Sequence, residues 1–76
     1  MKDLILYTTS ACHLCNLAEE IVYSIVAPDE LVKLDIAESM ELFDRYGESI
    51  PVLRRKDLTE LSWPFDRDMV RSFVSK

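Results

Sequence analysis

The sequence predicts an α/β fold in the order β-α-β-α-β-β-α, with a four-stranded mixed sheet and helices on both of its faces. An apolar run followed by an amphipathic helical stripe opens the chain, which is typical of a strand that leads into a helix. An alternating run and a second helical pattern come next, and two short apolar runs joined by a polar link precede the last helical stripe. The 76 residues suffice for one small core, so we expect a single domain over residues 1–76.

The first strand and the first helix carry the clearest signals. Residues 4–7 are all apolar, which favours a strand buried on both faces in the centre of the sheet. From Leu14 to Ile25 the apolar residues recur at helical spacing, and Pro28 ends that pattern. Because a second strand follows the helix, the two strands should be parallel and joined by a right-handed crossover.

The second strand and second helix are shorter. Residues 32–36 alternate between apolar and charged side chains, so this strand should have one wetter face. Residues 39–46 carry apolar side chains at helical spacing, and Gly47 follows as the predicted helix stop.

A hairpin and a final helix complete the predicted order. The patterns of residues 50–53 and 58–63 predict two strands. The link between them is short, which favours an antiparallel pair. We interpret the basic run 54–56 as a solvated turn that blunts a strand end rather than as an anion site. Asp66 is a good N-cap, and Phe65 and Val70 have the spacing of a hydrophobic staple. The buried stripe of this helix should comprise Met69, Val70, Phe73 and Val74.

Charge and length exclude some classes of function. The net charge of −5 disfavours nucleic-acid binding, which needs clustered Lys and Arg to neutralise phosphates. The N-terminal apolar run spans only residues 4–7 and is too short for a signal peptide or a membrane span. We therefore expect a cytoplasmic protein without membrane contact. In that compartment a pair of nearby cysteines is more often catalytic or metal-binding than structural.

The two cysteines of the chain lie three positions apart in Cys12-His13-Leu14-Cys15, at the start of the first helix. Unpaired N–H groups and the positive end of the helix dipole act at that position. They favour the thiolate, which is the nucleophile of thiol–disulfide exchange. We expect the pKa of Cys12 to fall from about 8.5 into the range of roughly 3.5–7.5.

With this CxxC motif, Ile50-Pro51 at the third strand and Trp63-Pro64-Phe65-Asp66 before the last helix, the chain resembles the thioredoxin superfamily in its minimal glutaredoxin-like form. The resemblance covers essentially the whole chain. It implies that Cys12 is the exposed attacking thiol and Cys15 the buried resolving thiol. It also implies a cis Ile50–Pro51 bond that faces the CxxC and leaves the Ile50 backbone groups free to pair with a substrate strand.

The sequence departs from the glutaredoxin pattern where glutathione would bind. Typical glutaredoxins have a Gly-Gly turn there, whereas this chain has Trp63, Pro64 and Phe65, and proline has no N–H to donate. Asp66 remains, but capping already explains it. A lysine that often precedes the first cysteine is replaced by residues 8–10, which are Thr-Thr-Ser. We expect no resident cofactor, and weak or altered glutathione binding.

The aromatic residues and the histidine of these motifs each have two interpretations. Trp63 and Phe65 either form an aromatic wall beside the cysteines or pack into the core, and we favour the core. His13, if protonated, would place a positive charge beside Cys12 and favour its thiolate; otherwise it is a solvent-facing residue without a role.

The leading hypothesis is a monomeric thiol–disulfide oxidoreductase. Its substrate would be a disulfide-containing protein or a small thiol compound, and its reductant glutathione or a thioredoxin reductase system. One alternative is a dimer that binds an iron–sulfur cluster or zinc through two CxxC motifs; another is an adaptor whose thiols have no role. A metal site within one monomer is not expected, because zinc needs four ligands and His13 is badly placed between the two thiols.

Overall fold

The computed structural model describes residues 4–75, which form a four-stranded sheet packed with three α-helices. The strands are β1 (Leu4–Thr8), β2 (Leu31–Asp35), β3 (Val52–Arg55) and β4 (Glu60–Ser62), and the helices are α1 (His13–Tyr23), α2 (Met40–Tyr46) and α3 (Arg67–Val74). Single 3-10 turns, Pro28–Glu30 and Ile36–Glu38, precede β2 and α2. The predicted fold class and element order are therefore confirmed. Within residues 4–75, no helix has the length and apolar character needed to span a bilayer.

The pairing of β1 with its two neighbours decides which loops meet. The sheet order is β2-β1-β3-β4, with β1 parallel to β2 and antiparallel to β3. Tyr7 lies opposite Val52, whereas Leu4 lies opposite Arg55. The end of β1, which leads to the cysteines, therefore lies beside the start of β3, which follows Pro51. Arg55 lies at the other end of the sheet, away from the cysteines.

The main core lies between the sheet and helices α1 and α3. Phe65 and Val70 both belong to this core, as the hydrophobic staple predicted. The other buried members are Leu4, Leu6, Ala18, Val22, Leu31, Leu53 and Phe73. Full burial of one aliphatic or aromatic side chain of this kind stabilises a fold by roughly 1.5–3 kcal/mol.

The second face of the sheet holds a smaller core built around two tyrosines. The rings of Tyr7 and Tyr46 stack with centroids 4.2 Å apart and an interplanar angle of 17°. The Tyr46 hydroxyl donates to the Glu60 carboxylate, and the Arg54 guanidinium donates to the Tyr7 hydroxyl at 2.8 Å. This network joins α2 to strands β1, β3 and β4. Ile36 and Val52 complete the buried part of the cluster.

The assignment of the basic run to a solvated turn holds for Lys56, which is exposed in the turn, but is wrong for the two arginines. Arg54 and Arg55 lie inside β3, which starts and ends two residues later than predicted. Arg55 donates to the Phe73 carbonyl at 3.1 Å and lies 5.4 Å from the centre of that ring. The fourth strand begins at Glu60 rather than at residue 58, because Leu58 has a φ of 74° and belongs to the turn.

Several predicted boundaries and faces also differ. Helix α1 ends at Tyr23, before Pro28 is reached. Leu34 is 37% exposed because β2 is an edge strand. Met69, assigned to the buried stripe of the last helix, is exposed. Gly47 does end α2, but with a right-handed φ of −51°; a Cβ there would lie 2.6 Å from the Phe43 carbonyl oxygen, so close packing rather than a left-handed cap explains this glycine.

Tyr46 gives the fold a pH dependence in the alkaline range. Burial, then the hydrogen bond to Glu60, raise the pKa of Tyr46 to about 12, from about 10 in an unfolded chain. A group whose pKa is raised on folding stabilises the folded state at pH values below its unfolded-state pKa. This stabilisation is lost as the pH rises through its folded-state pKa. We predict that the unfolding free energy falls by about 2 kcal/mol more in the natural protein than in Tyr46→Phe between pH 10 and 12.

Urea denaturation at a series of pH values measures this difference. Tyr23→Phe serves as the control, because it removes a hydroxyl from a partly exposed tyrosine on α1 and leaves Tyr46 intact. Parallel pH profiles for the natural protein and Tyr46→Phe would contradict the prediction.

Candidate active site

The first helix begins with a cysteine sulfur as its cap. Strand β1 ends at Thr8, and Cys12 is the N-cap of α1, with extended backbone angles of −109° and 104°. The Cys15 N–H donates to the Cys12 Sγ at 3.2 Å, and the Cys12 carbonyl accepts the Asn16 N–H at 3.1 Å. A donor of the first helical turn, which has no partner within the helix, therefore points at the sulfur.

The two sulfurs of the motif differ in their access to solvent. Cys12 and Cys15 are joined by a disulfide, with their Cα atoms 5.2 Å apart. Cys12 is half-buried, whereas Cys15 is 1% exposed. A disulfide or thiol from another molecule can therefore approach Cys12 but not Cys15.

His13 is exposed at the first position of α1 and shares the outward face of the helix with Asn16 and Glu20. It makes no hydrogen bond or ion pair with any residue between 4 and 75. Any influence of His13 on Cys12 would therefore act through its charge and not through a bond.

Ile50 and Pro51 lie beside the cysteine loop, because the start of β3 pairs with the end of β1. The Ile50–Pro51 peptide bond is cis, and Pro51 is fully buried. The Ile50 N–H donates to the Tyr46 carbonyl at 3.1 Å. The expectation that both backbone groups of Ile50 are free is therefore wrong for the N–H. Its carbonyl accepts no hydrogen bond from the described part of the chain.

The segment between β4 and α3 lies at the same end of the sheet. Phe65 is 4% exposed and belongs to the main core. Of its two interpretations, the favoured one is therefore confirmed, and Phe65 does not form a wall for a substrate beside the cysteines. Trp63 is half-buried, and its ring packs edge-on against Phe65 with centroids 5.1 Å apart. The backbone N–H of Trp63 donates to the Pro51 carbonyl at 3.1 Å. The Asp66 carboxylate accepts the Met69 N–H at 2.8 Å, which is the capping role that the sequence predicts.

Two features of the cysteine loop escaped the sequence analysis. The Thr9 hydroxyl donates to the Asp35 carboxylate at 3.0 Å, and the same oxygen accepts the Ala37 N–H at 2.9 Å. This contact ties the loop to the end of β2. Ala11, directly before Cys12, has a φ of 56°. Only the Asp35–Ala37 cap had a local signal, because the contact with Thr9 spans 26 positions.

The residues between 4 and 75 contain no group of three or more His, Cys, Asp or Glu side chains arranged to hold a metal ion. Cys12 and Cys15 could supply two sulfur ligands when reduced, and two more would have to come from elsewhere.

Comparisons with known proteins agree with this geometry. Residues 3–75 match the model of a family described as "Glutaredoxin-like domain (DUF836)". The X-ray structure of Northeast Structural Genomics target protein XcR50 from X. campestris is 35% identical, with 95% of each chain covered and a TM-score of 0.87. The solution structure of the same target is 34% identical, with a TM-score of 0.86 over 96% of this chain and 92% of that one. A search of curated proteins gave no match.

The backbone at Ala11 leads to a prediction about stability. A left-handed φ costs a residue with a Cβ roughly 1–2 kcal/mol, and glycine avoids that cost. We predict that Ala11→Gly raises the unfolding free energy of the oxidised protein by roughly 0.5–1 kcal/mol, because relief of strain exceeds the entropic cost of glycine. Urea denaturation is the measurement.

Ala27→Gly is the matched control. Ala27 is also exposed, but its φ is −72°, so glycine relieves no strain there. It should lower the unfolding free energy by roughly 0.4–1 kcal/mol. Equal destabilisation by both variants would show that Ala11 is not strained.

Proposed function

The chain belongs to the glutaredoxin-like domain family, and from that premise we propose that it is a dithiol–disulfide oxidoreductase that acts through Cys12 and Cys15. The observation that carries the proposal is the half-buried Cys12 sulfur at the N-terminus of α1, 3.2 Å from the Cys15 N–H. The fold and the CxxC motif support a redox role, and the difference in exposure between the two sulfurs supports their separate tasks.

The reaction begins with reduced protein. The Cys12 thiolate attacks one sulfur of a substrate disulfide, so that the substrate S–S bond breaks, a mixed disulfide forms on Cys12 and the first substrate thiolate leaves. Cys15 then loses its proton and attacks the Cys12 sulfur. The Cys12–Cys15 disulfide forms, the second substrate thiol is released, and two electrons have passed from the protein to the substrate. A thiol reductant returns the protein to the dithiol.

The surroundings of the sulfurs favour this order of attack. The N–H groups at the start of α1 hydrogen-bond better to a thiolate than to a thiol, and a protonated His13 would add to that effect. Cys15 is buried, so it is reached only by a sulfur already attached to Cys12. Leu6, which occupies the place of the buried acid of thioredoxins, is fully buried and apolar. The proposed acceptor of the Cys15 proton is therefore water that enters beside Cys12, or His13.

The substrate would lie along the start of β3. The Ile50 carbonyl offers one backbone hydrogen bond to an extended peptide. Trp63 supplies adjoining surface, and Pro51, which is buried, positions Ile50. This would be only a partial β-strand addition, because the Ile50 N–H is already bonded to the Tyr46 carbonyl.

Single cysteine variants test the proposed roles. We predict that Cys12→Ser loses disulfide reductase activity by at least about 100-fold, because the attacking sulfur is gone. Cys15→Ser should instead accumulate a mixed disulfide on Cys12, because the resolving step is blocked. Mass spectrometry of the protein after exposure to an oxidised peptide measures that adduct. Unchanged biological activity of Cys12→Ser would favour the adaptor, and a metal-containing preparation without reductase activity would favour a metal-binding dimer.

The electron donor can be tested separately. We predict that glutathione reduces the oxidised protein slowly, because Pro64 has no N–H for the glutamyl carboxylate and the Trp63 N–H is bonded to Pro51. NADPH consumption is followed first with glutathione and glutathione reductase, and then with thioredoxin reductase in their place. Full reduction by dithiothreitol is the control for an accessible disulfide. Rapid turnover with glutathione alone would contradict the prediction.

A further inference from the structure

Four connections of the chain meet at the end of the sheet that carries the cysteines. They are residues 9–12 after β1, 36–39 after β2, 47–51 before β3 and 63–66 after β4. The strand pairing brings them together, since Thr8 lies opposite Asp35, Tyr7 opposite Val52, and Val52 opposite Ser62. A substrate that reaches Cys12 must approach this end, which we call the cysteine face.

The charged side chains of the cysteine face have one sign. Asp35 at the end of β2, and Glu38, Glu48 and Asp66 in the connections, are acidic, and the connections contain no lysine or arginine. Arg67, the first residue of α3, is the nearest basic residue along the chain. Arg45, two positions before the third connection, is exposed and lies over the Tyr46 ring, 5.5 Å from its centre. Four further basic side chains have partners elsewhere: Lys33 with Glu19, Arg54 with Tyr7, Arg55 with Asp57, and Arg71 with Asp68.

Two of these four acids are already bonded within the fold. Asp35 and Asp66 accept backbone N–H groups. Glu38 and Glu48 are exposed and make no hydrogen bond or ion pair with the described residues. Their charges are therefore available to act on an approaching molecule.

Around the two prolines of the cysteine face, four residues offer no free backbone N–H, which is an independent observation. Pro51 and Pro64 have no N–H, and the N–H groups of Ile50 and Trp63 are bonded to the carbonyls of Tyr46 and Pro51. The Ile50 carbonyl remains as an acceptor. A substrate carboxylate would therefore find no backbone donor at residues 50, 51, 63 and 64, whereas an ammonium or guanidinium group would find the Ile50 carbonyl and the acidic side chains. The N–H groups of Phe65 and Asp66 are not bonded within the described residues.

We propose that the cysteine face selects disulfides carried by neutral or positively charged segments and disfavours anionic disulfides. The inference rests on the proposed function and adds the substrate class to it. Charges of one sign at the entrance to a site change association rates by roughly 10-fold or more, and the effect falls with ionic strength.

Three small disulfides of different charge test the inference. They are cystamine, with two ammonium groups, bis(2-hydroxyethyl) disulfide, which is neutral, and 3,3′-dithiodipropionate, with two carboxylates. The rate constant of the reduced protein with each is divided by that of dithiothreitol with the same disulfide, which removes the intrinsic reactivity. We expect the normalised constants to fall in that order at low salt, by roughly 10-fold overall, and to converge at about 0.5 M salt.

Charge-neutral variants locate the effect. Glu38→Gln and Glu48→Gln should each reduce the ratio between the largest and the smallest normalised rate constant at low salt. The double variant should reduce this ratio further. Asp29→Asn is the control, because it removes the same charge from the turn before β2, at the opposite end of the sheet. It should leave the ratio unchanged.

The outcomes separate the two proposals. If the neutral disulfide is not reduced, the proposed function fails. If the neutral disulfide is reduced but the normalised rate constants are equal or follow the reverse order, the charge selection is overturned and the redox function stands. If Asp29→Asn reduces the ratio as much as Glu48→Gln, overall charge rather than the cysteine face is responsible, and the inference is also overturned.

Discussion

The contact between the Cys15 N–H and the Cys12 sulfur is the interaction on which the site depends. It makes one sulfur both the cap of α1 and the group presented to solvent. A charged acceptor forms a stronger hydrogen bond than a neutral one, so this cap should be strongest when Cys12 is a thiolate. Formation of the disulfide removes that charge. The stability of the first helical turn and the redox state of the pair are therefore coupled, and groups that favour the thiolate also make the pair more oxidising.

The second face of the sheet holds in place the start of β3, along which the proposed substrate would lie. The Tyr46 carbonyl accepts the Ile50 N–H, and the Tyr46 ring stacks on Tyr7, whose strand leads to the cysteines. The same pair of rings thus supports both the start of β3 and the end of β1. Arg54 and Glu60 bond to the two hydroxyls, so the stack is anchored to β3 and β4 as well. The loop at Pro51 and the loop at Cys12 share one rigid support, which favours a constant spacing between them.

The parts of the structure with local signals were predictable, and those made by distant contacts were not. The apolar run of β1, the CxxC and the Asp66 cap each depend on neighbours within a few positions, and all three lie where the sequence places them. Arg54 was assigned to a turn because the apolar pattern ends at Leu53. Ladder hydrogen bonds to β1 continue regardless of side-chain polarity, and the hydroxyl of Tyr7, 47 positions away, gives the arginine its partner. Residue patterns carry no information about such a pairing until the topology is known.

Sulfur chemistry and substrate recognition reside in different parts of this chain. The dithiol needs only α1 and the loop before it, whereas the surface around it is made by three other connections. Fold and motif therefore define the reaction class, and the connections define what is admitted to it. In this chain those connections contribute carboxylates and two prolines, and the N–H groups of Ile50 and Trp63 are already bonded within the fold. Under the proposed function, such a surface would be poorly matched to an anionic tripeptide and better matched to a peptide segment with ammonium or guanidinium groups. If the proposed charge selection holds, the cysteine pair would serve a different class of disulfide from the one that glutaredoxins with a donor-rich turn receive.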